Sequence, residues 1–169
     1  VPMATRVGAA HVDKIMRGMV ESAITEYDTD VYAGNMVGIP LLARYGALDE
    51  NVPPWNSRRN VRIIRELGGS LVEPEITEIP NEHHWWDGAM DDAQIQAFFT
   101  KHLAAPLPEF PKEFTTVTVN PGSSGSRGSI QILQLYVPFR KASIKVIKNT
   151  PDSWTIEASN VRRFGLVED

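Results

Sequence analysis

The apolar residues Ile15, Met16, Met19, Val20, Ala23 and Ile24 recur at three- and four-residue spacing, which predicts an amphipathic helix over residues 12–27. Asp28 or Thr29 is placed to cap a short second helix running to Asn35. Residues 1–10 carry no clear pattern. Gly38-Ile39-Pro40 then leads into the apolar run 41–45, the signature of a buried parallel strand. After a loop over 46–54, Asn56 or Ser57 caps a predicted helix with Val61, Ile64 and Leu67 on one face, ended by Gly68 and Gly69. A second strand is expected over 71–79 and a loop over 80–88. Asp91 or Asp92 then opens a helix that turns Ile95, Phe98, Phe99 and Leu103 inward.

Helix, strand, helix, strand, helix in this order predicts the closing third of a parallel α/β sheet. Pro106, Pro108 and Pro111 mark a stiff linker. Beyond it, short strands are expected over 115–119, 130–137, 143–148, 154–157 and 161–166. The Gly/Ser-rich segment 120–128 and the turn 149–152 separate the first of them. The expected organisation is therefore an α/β portion over 1–104, a Pro-rich linker over 105–113 and a small all-β module over 114–169.

Composition narrows the function classes. The 169 residues suggest one domain, or one domain with a small module. A hydrophobic content of 42% with 22% charged residues fits a globular chain rather than a disordered one. The net charge of −4, without a long basic run, speaks against nucleic acid and anionic membranes as partners. No apolar run approaches the roughly 20 residues that span a bilayer. With no cysteine there is no disulfide framework, thiolate metal site or cysteine nucleophile. The absence of an Asn-x-Ser/Thr acceptor tilts the expected location toward the cell interior.

Two loops carry the candidate chemistry. Asp49 follows the first strand in Gly46-x-x-Asp49-x-x-Val52-Pro53, and His84 follows the second in Glu78-Ile-Pro-Asn-Glu-His-His84-Trp-Trp-Asp-Gly88. A carboxylate and an imidazole at the carboxyl ends of neighbouring parallel strands are placed to work as the acid and base of a Ser-His-Asp triad. Each residue also has a plainer reading. Asp49 can cap its own turn, and His84 can pack on Trp85 or Trp86. His83 reads as a solvent-facing neighbour. A metal site built from His83, His84 and Asp87 is disfavoured, because adjacent histidines on an extended loop rarely converge on one ion. Trp85 and Trp86 read as packing residues, either of which could wall a substrate pocket. The segment 122–128 lacks the Gly-Lys-Ser/Thr ending of a phosphate loop and reads as a turn.

The stretch from Gly38 to Phe99 resembles the carboxyl-terminal end of the prolyl oligopeptidase-like (S9) branch of the α/β hydrolases. Ile39-Pro-Leu-Leu, the Asp49 motif, Ser57-Arg58 and the segment from Ile79-Pro80 to Gly88 carry the likeness. The flanking helix and the β tail resemble those of large fungal-type members. The resemblance implies the α/β class, with the last parallel strands and helices of an α/β-hydrolase sheet followed by a small antiparallel β module. It also implies a serine hydrolase acting on peptides or esters, with Asp49 as triad acid, His84 as triad base and no cofactor or metal. Family members often carry Gly at the position of His83.

The family's nucleophile sits in a Gly-x-Ser-x-Gly elbow well before the acid. Here the only serine before Asp49 is Ser22, inside the first predicted helix, and Gly122-Ser-Ser-Gly-Ser126 does not fit the elbow. Only about the last two strands of the family's sheet are covered, and the oxyanion-hole loop is missing. The chain is thus expected to be completed by an amino-terminal portion of the same hydrolase that carries the serine. Alone it would be inactive, since a triad without nucleophile and oxyanion hole loses nearly all catalysis. The other reading is a non-catalytic interaction module derived from such a hydrolase. In either case the β module is a cover on the sheet or a contact for self-association.

Overall fold

The computed structural model describes residues 13–68, 73–106 and 109–167. The start of the first predicted helix at Val12, the patternless residues 1–10, Gly69, the first residues of the second predicted strand (Leu71 and Val72) and the linker residue Pro108 lie outside them. The chain divides into two compact units, residues 1–35 with 111–169, and residues 36–110.

The first unit opens with α1 (Lys14–Thr25), whose N-cap Asp13 accepts from the Ile15 and Met16 amides. A short α2 (Thr29–Tyr32) is capped by Asp28 and continues as a 3-10 turn (Ala33–Met36). The rest of the unit is antiparallel. Strands β3 (Glu113–Thr118), β5 (Ala142–Thr150) and β6 (Ser153–Ser159) form a sheet in the order β3-β5-β6. Strands β4 (Ile130–Leu135) and β7 (Val161–Leu166) form a second, two-stranded sheet. Alternate residues of β5, namely Ala142, Ile144 and Val146, point inward and meet Phe114, Ile130 and Ile132; all six are buried. The period-two pattern therefore builds this core directly. Along β3, Asn35 bridges Val117 through two hydrogen bonds of 2.8 Å, using its amide on the Val117 carbonyl and its carbonyl on the Val117 N–H. That side chain occupies strand-edge groups that would otherwise invite another chain.

The second unit holds β1 (Leu42–Gly46), α3 (Pro54–Gly68), β2 (Glu75–Ile79) and α4 (Ala93–Ala104). β1 and β2 pair in parallel from Leu42 opposite Glu75 to Gly46 opposite Ile79. Pro54 opens α3, where its fixed φ and missing N–H suit a first helical turn, so the cap expected at Asn56 or Ser57 is displaced. α3 packs on the strand pair through the buried Val61 and Ile64. Asp92 caps α4, accepting from the Gln94 and Ile95 amides at 3.0 Å each.

The fold class expected from the sequence, an α/β chain carrying the end of an α/β-hydrolase sheet, is overturned. Of the seven strands among the described residues, five lie in antiparallel sheets, and parallel pairing is confined to β1 and β2. The strand–helix alternation over 42–104 weighed heavily in the sequence, yet it supplies only two strands. The turn from Thr150 to Ser153 is too short for a crossover, so β6 can only fold back antiparallel on β5. Nor do helices cover both faces of a sheet as a buried parallel sheet requires, since among the described residues only α3 buries residues against the strand pair. α4 buries no residue completely, Leu103 is 82% exposed, and Ile15, Met16 and Met19 of α1 face outward.

Candidate functional site

Asp49 and His84 lie in the loops that leave the carboxyl ends of β1 and β2. Parallel pairing puts both ends on one side, and the two loops are joined through their backbones. The Ala47 N–H donates to the Ile79 carbonyl at 2.9 Å, and the Leu48 N–H to the Glu82 carbonyl at 2.8 Å. Gly46 makes this approach feasible. A Cβ there would fall on the carbonyl oxygens of Glu82 and His83 and lie 2.6 Å from the Glu82 carbonyl carbon. Asn81, at φ 62°, turns the second loop so that it passes over the first.

The Asp49 side chain is buried. Its Oδ1 accepts from the Asn51 N–H at 3.0 Å and the Val52 N–H at 2.8 Å. His84 Nδ1 lies 3.1 Å from Oδ1 and 2.9 Å from Oδ2. An ionised carboxylate only accepts, so Nδ1 carries a proton, and in the neutral ring Nε2 keeps its lone pair. Burial is the largest single influence on the Asp49 carboxyl and pushes its pKa up. The Val52 N–H, the His84 hydrogen bond and charge, and the Asn51 N–H together outweigh it and hold the group below its ordinary value. Stability from this ionised carboxylate is therefore present above the unfolded pKa and fades as pH falls through the folded value. The turn-capping role and the imidazole-holding role expected as alternatives for Asp49 coexist in one side chain. Trp85 stands edge-on to the His84 ring, with centroids 4.9 Å apart, and is 79% exposed, so it packs on the imidazole without entering a core.

His83 is not an unengaged neighbour. Its Nδ1 lies 2.8 Å from Glu50 Oε2, so a second imidazole–carboxylate pair ties the same two loops. The Glu50 hydrogen bond and charge raise the pKa of His83, and the His83 hydrogen bond lowers that of Glu50. A raised imidazole pKa means that this pair's stability is complete below the unfolded value and is lost as pH rises through the folded one. Titration of the His83 ring followed by NMR is expected to give a midpoint above the ordinary 6.5. Glu50→Gln should return it to the ordinary range, and an unmoved midpoint would dissolve the pairing.

Arg44 was not singled out in the sequence. From β1, its nearly buried guanidinium donates to the Ala89 carbonyl at 3.1 Å and to the Asp92 carboxylate, and it lies 6.0 Å from the half-buried Trp86 ring. It thereby anchors the far end of the histidine loop to the strand that carries Asp49. The available signal was a lone cation inside an apolar strand, which demands carbonyl or carboxylate partners. On the strand pair, Glu78 accepts from Arg58 at 2.9 and 2.7 Å and from the Tyr45 hydroxyl at 3.2 Å, which links α3 to both strands. Asp87 joins neither imidazole pair. Among the described residues, no three His, Asp or Glu side chains are grouped to hold a metal ion, and no helix is long and apolar enough to cross a membrane.

An "Uncharacterized secreted protein" of Arthroderma benhamiae is 27% identical to this chain over 160 residues, which cover 92% of the chain. The chain spans 17% of the length of that protein. No family model and no solved structure matches the chain.

Proposed function

We propose that Asp49 and His84 are the acid and base of a Ser-His-Asp triad whose serine and oxyanion hole come from another portion of a longer protein, as the likeness of the two loops to S9 peptidases suggests. The observation that carries this reading is the buried, doubly N–H-bound carboxylate set 2.9 Å from His84 Nδ1. With Nδ1–H held by Asp49, His84 Nε2 takes the proton of the serine hydroxyl as the oxygen attacks the acyl carbon of a peptide or ester. The imidazolium then returns the proton to the leaving amine or alcohol. A water repeats the sequence and frees the acid from the acyl-enzyme. The Asp49 charge offsets the positive charge on the imidazolium at each passage. A relative about six times longer than the matched stretch, at 17% coverage, is consistent with further segments that could supply the missing parts.

A second reading treats the pair as a structural lock in a non-catalytic interaction module. Its support is that Asp49 already serves its own turn through Asn51 and Val52.

Fluorophosphonate labelling read by intact mass separates the two. In the longer protein, one serine outside these 169 residues is expected to take the label, and His84→Ala should abolish it. Label on this chain itself would refute the missing-nucleophile reading. No label on the longer protein would leave the pair as a lock.

A further inference from the structure

In the β unit, three local irregularities converge on one groove. The β4–β7 register slips on either side of Gln134, so that Leu133 of β4 and Arg162 of β7 are left without ladder partners while Gln134 stays opposite Arg163. Leu133 settles against Gly165 of β7, where a Cβ would come within 3.2 Å of its Cδ1. Phe139, an aromatic residue, holds φ at 56°, a conformation that L side chains avoid. Asn160 keeps it there. Its Oδ1 accepts from the Val137 N–H at 2.8 Å, its Nδ2 donates to the Val137 and Arg140 carbonyls at 3.0 and 3.1 Å, and its own carbonyl takes the Tyr136 N–H at 3.3 Å. Backbone strain held in place by a dedicated side chain is a feature of binding sites. Leu133, Gln134, Leu135, Pro121, Pro138 and Phe139 line an open groove of about 360 Å³.

At one end of the groove the Glu26 carboxylate is taken up by Asn120 and Ser123, at 2.8 and 3.1 Å; the described cations near the groove have no such partner. Arg140 and Lys141 lie in the strained loop, and Arg162 and Arg163 begin β7; all four are exposed and, among the described residues, none has a carboxylate partner. Arg163 sits opposite Gln134 in the ladder, which places it on the groove side. By contrast, Lys145 of the same unit pairs with Glu113 at 2.7 Å. Four unpaired cations in a chain of net charge −4 favour an anionic ligand. The volume lies near the lower end of ligand sites and suits one large apolar side chain. Rigid proline and phenylalanine walls keep the entropic cost of receiving it low. The bulge spoils β4 as a template for strand addition, so recognition falls to side chains.

We propose that this groove binds an extended acidic peptide, seating one aromatic or large aliphatic side chain against Phe139 while Arg140, Lys141, Arg162 and Arg163 hold the flanking carboxylates. The proposal is independent of the Asp49–His84 reading. It is tested by fluorescence anisotropy of the full 169-residue chain with the fluorescein-labelled peptide Glu-Glu-Phe-Glu-Glu. Saturable binding that weakens as salt rises is expected. Arg140→Glu combined with Arg163→Glu should weaken it at least about tenfold, since reversed charges at the rim repel the ligand. Phe139→Gly should also weaken it about tenfold with the chain still folded by circular dichroism, because glycine accepts this φ without strain. Absence of binding, equal binding of Lys-Lys-Phe-Lys-Lys, or variants that bind like the parent would each overturn the proposal. So would a labelled oligothymidylate that binds more tightly than the acidic peptide, since it would reassign the patch to nucleic acid.

Discussion

On the proposed triad reading, Asp49→Asn in the longer protein is expected to lower kcat by about 10⁴-fold while leaving the fold in place. The new side chain is nearly isosteric, and its carbonyl oxygen can still accept from the Asn51 and Val52 N–H groups that now bind Oδ1. Its amide nitrogen, however, would replace Oδ2, which lies 2.9 Å from His84 Nδ1. Two N–H donors cannot face each other, so the imidazole must move its proton to Nε2. In the proposed triad Nε2 is the atom that receives the serine proton, and in that tautomer it cannot. The loss corresponds to about 5.4 kcal/mol of transition-state stabilisation. Measuring kcat and KM separately decides the matter, because a residue acting on the base should lower kcat and spare KM. A variant with full activity would remove Asp49 from the chemistry, and a collapsed circular-dichroism spectrum would mark it as structural.

The sequence showed the two loops more clearly than the architecture around them. Asp49 and His84 are 35 residues apart, yet the strand–loop pattern already placed each at a strand end, and the structure brings them to hydrogen-bond distance. Such placement is legible because it depends on local signals: an apolar run, a Gly or Pro stop, and a polar loop residue. Sheet topology depends on pairings among distant strands, which periodicity does not encode. The α/β class was accordingly inferred from two strands and overturned by five. Helix faces show the same limit. The spacing of Ile15, Met16 and Met19 correctly marks a helix, but spacing cannot say what covers its stripe, and all three are exposed. In α4, Ile95 and Phe98 are half-buried, whereas Phe99 and Leu103 face outward. The contacts of Arg44 and of the His83–Glu50 pair are not legible in the sequence, because the partners lie 33 to 48 residues apart and belong to no recurring motif.

Gly46→Ala should be the most damaging single-methyl change in the second unit, costing about 3 kcal/mol of stability. Glycine is required here by space rather than by φ. The added methyl would overlap the Glu82 and His83 carbonyl groups, which are backbone and cannot swing aside as a flexible side chain could. Relief demands that the two loops part. Parting would stretch the Leu48-to-Glu82 hydrogen bond of 2.8 Å and draw His84 away from Asp49. Stability and site geometry should therefore fail together. Urea unfolding gives the first readout as a lower midpoint with unchanged m. The second is the NMR signal of the His84 Nδ1 proton, which the Asp49 carboxylate shifts downfield and protects from exchange with water. Loss of stability with that signal intact would mean that the loops accommodate the methyl without separating, and the close backbone approach at Gly46 would not be what positions the imidazole. Loss of both would make Gly46 the hinge pin between strand pairing and the acid–base pair.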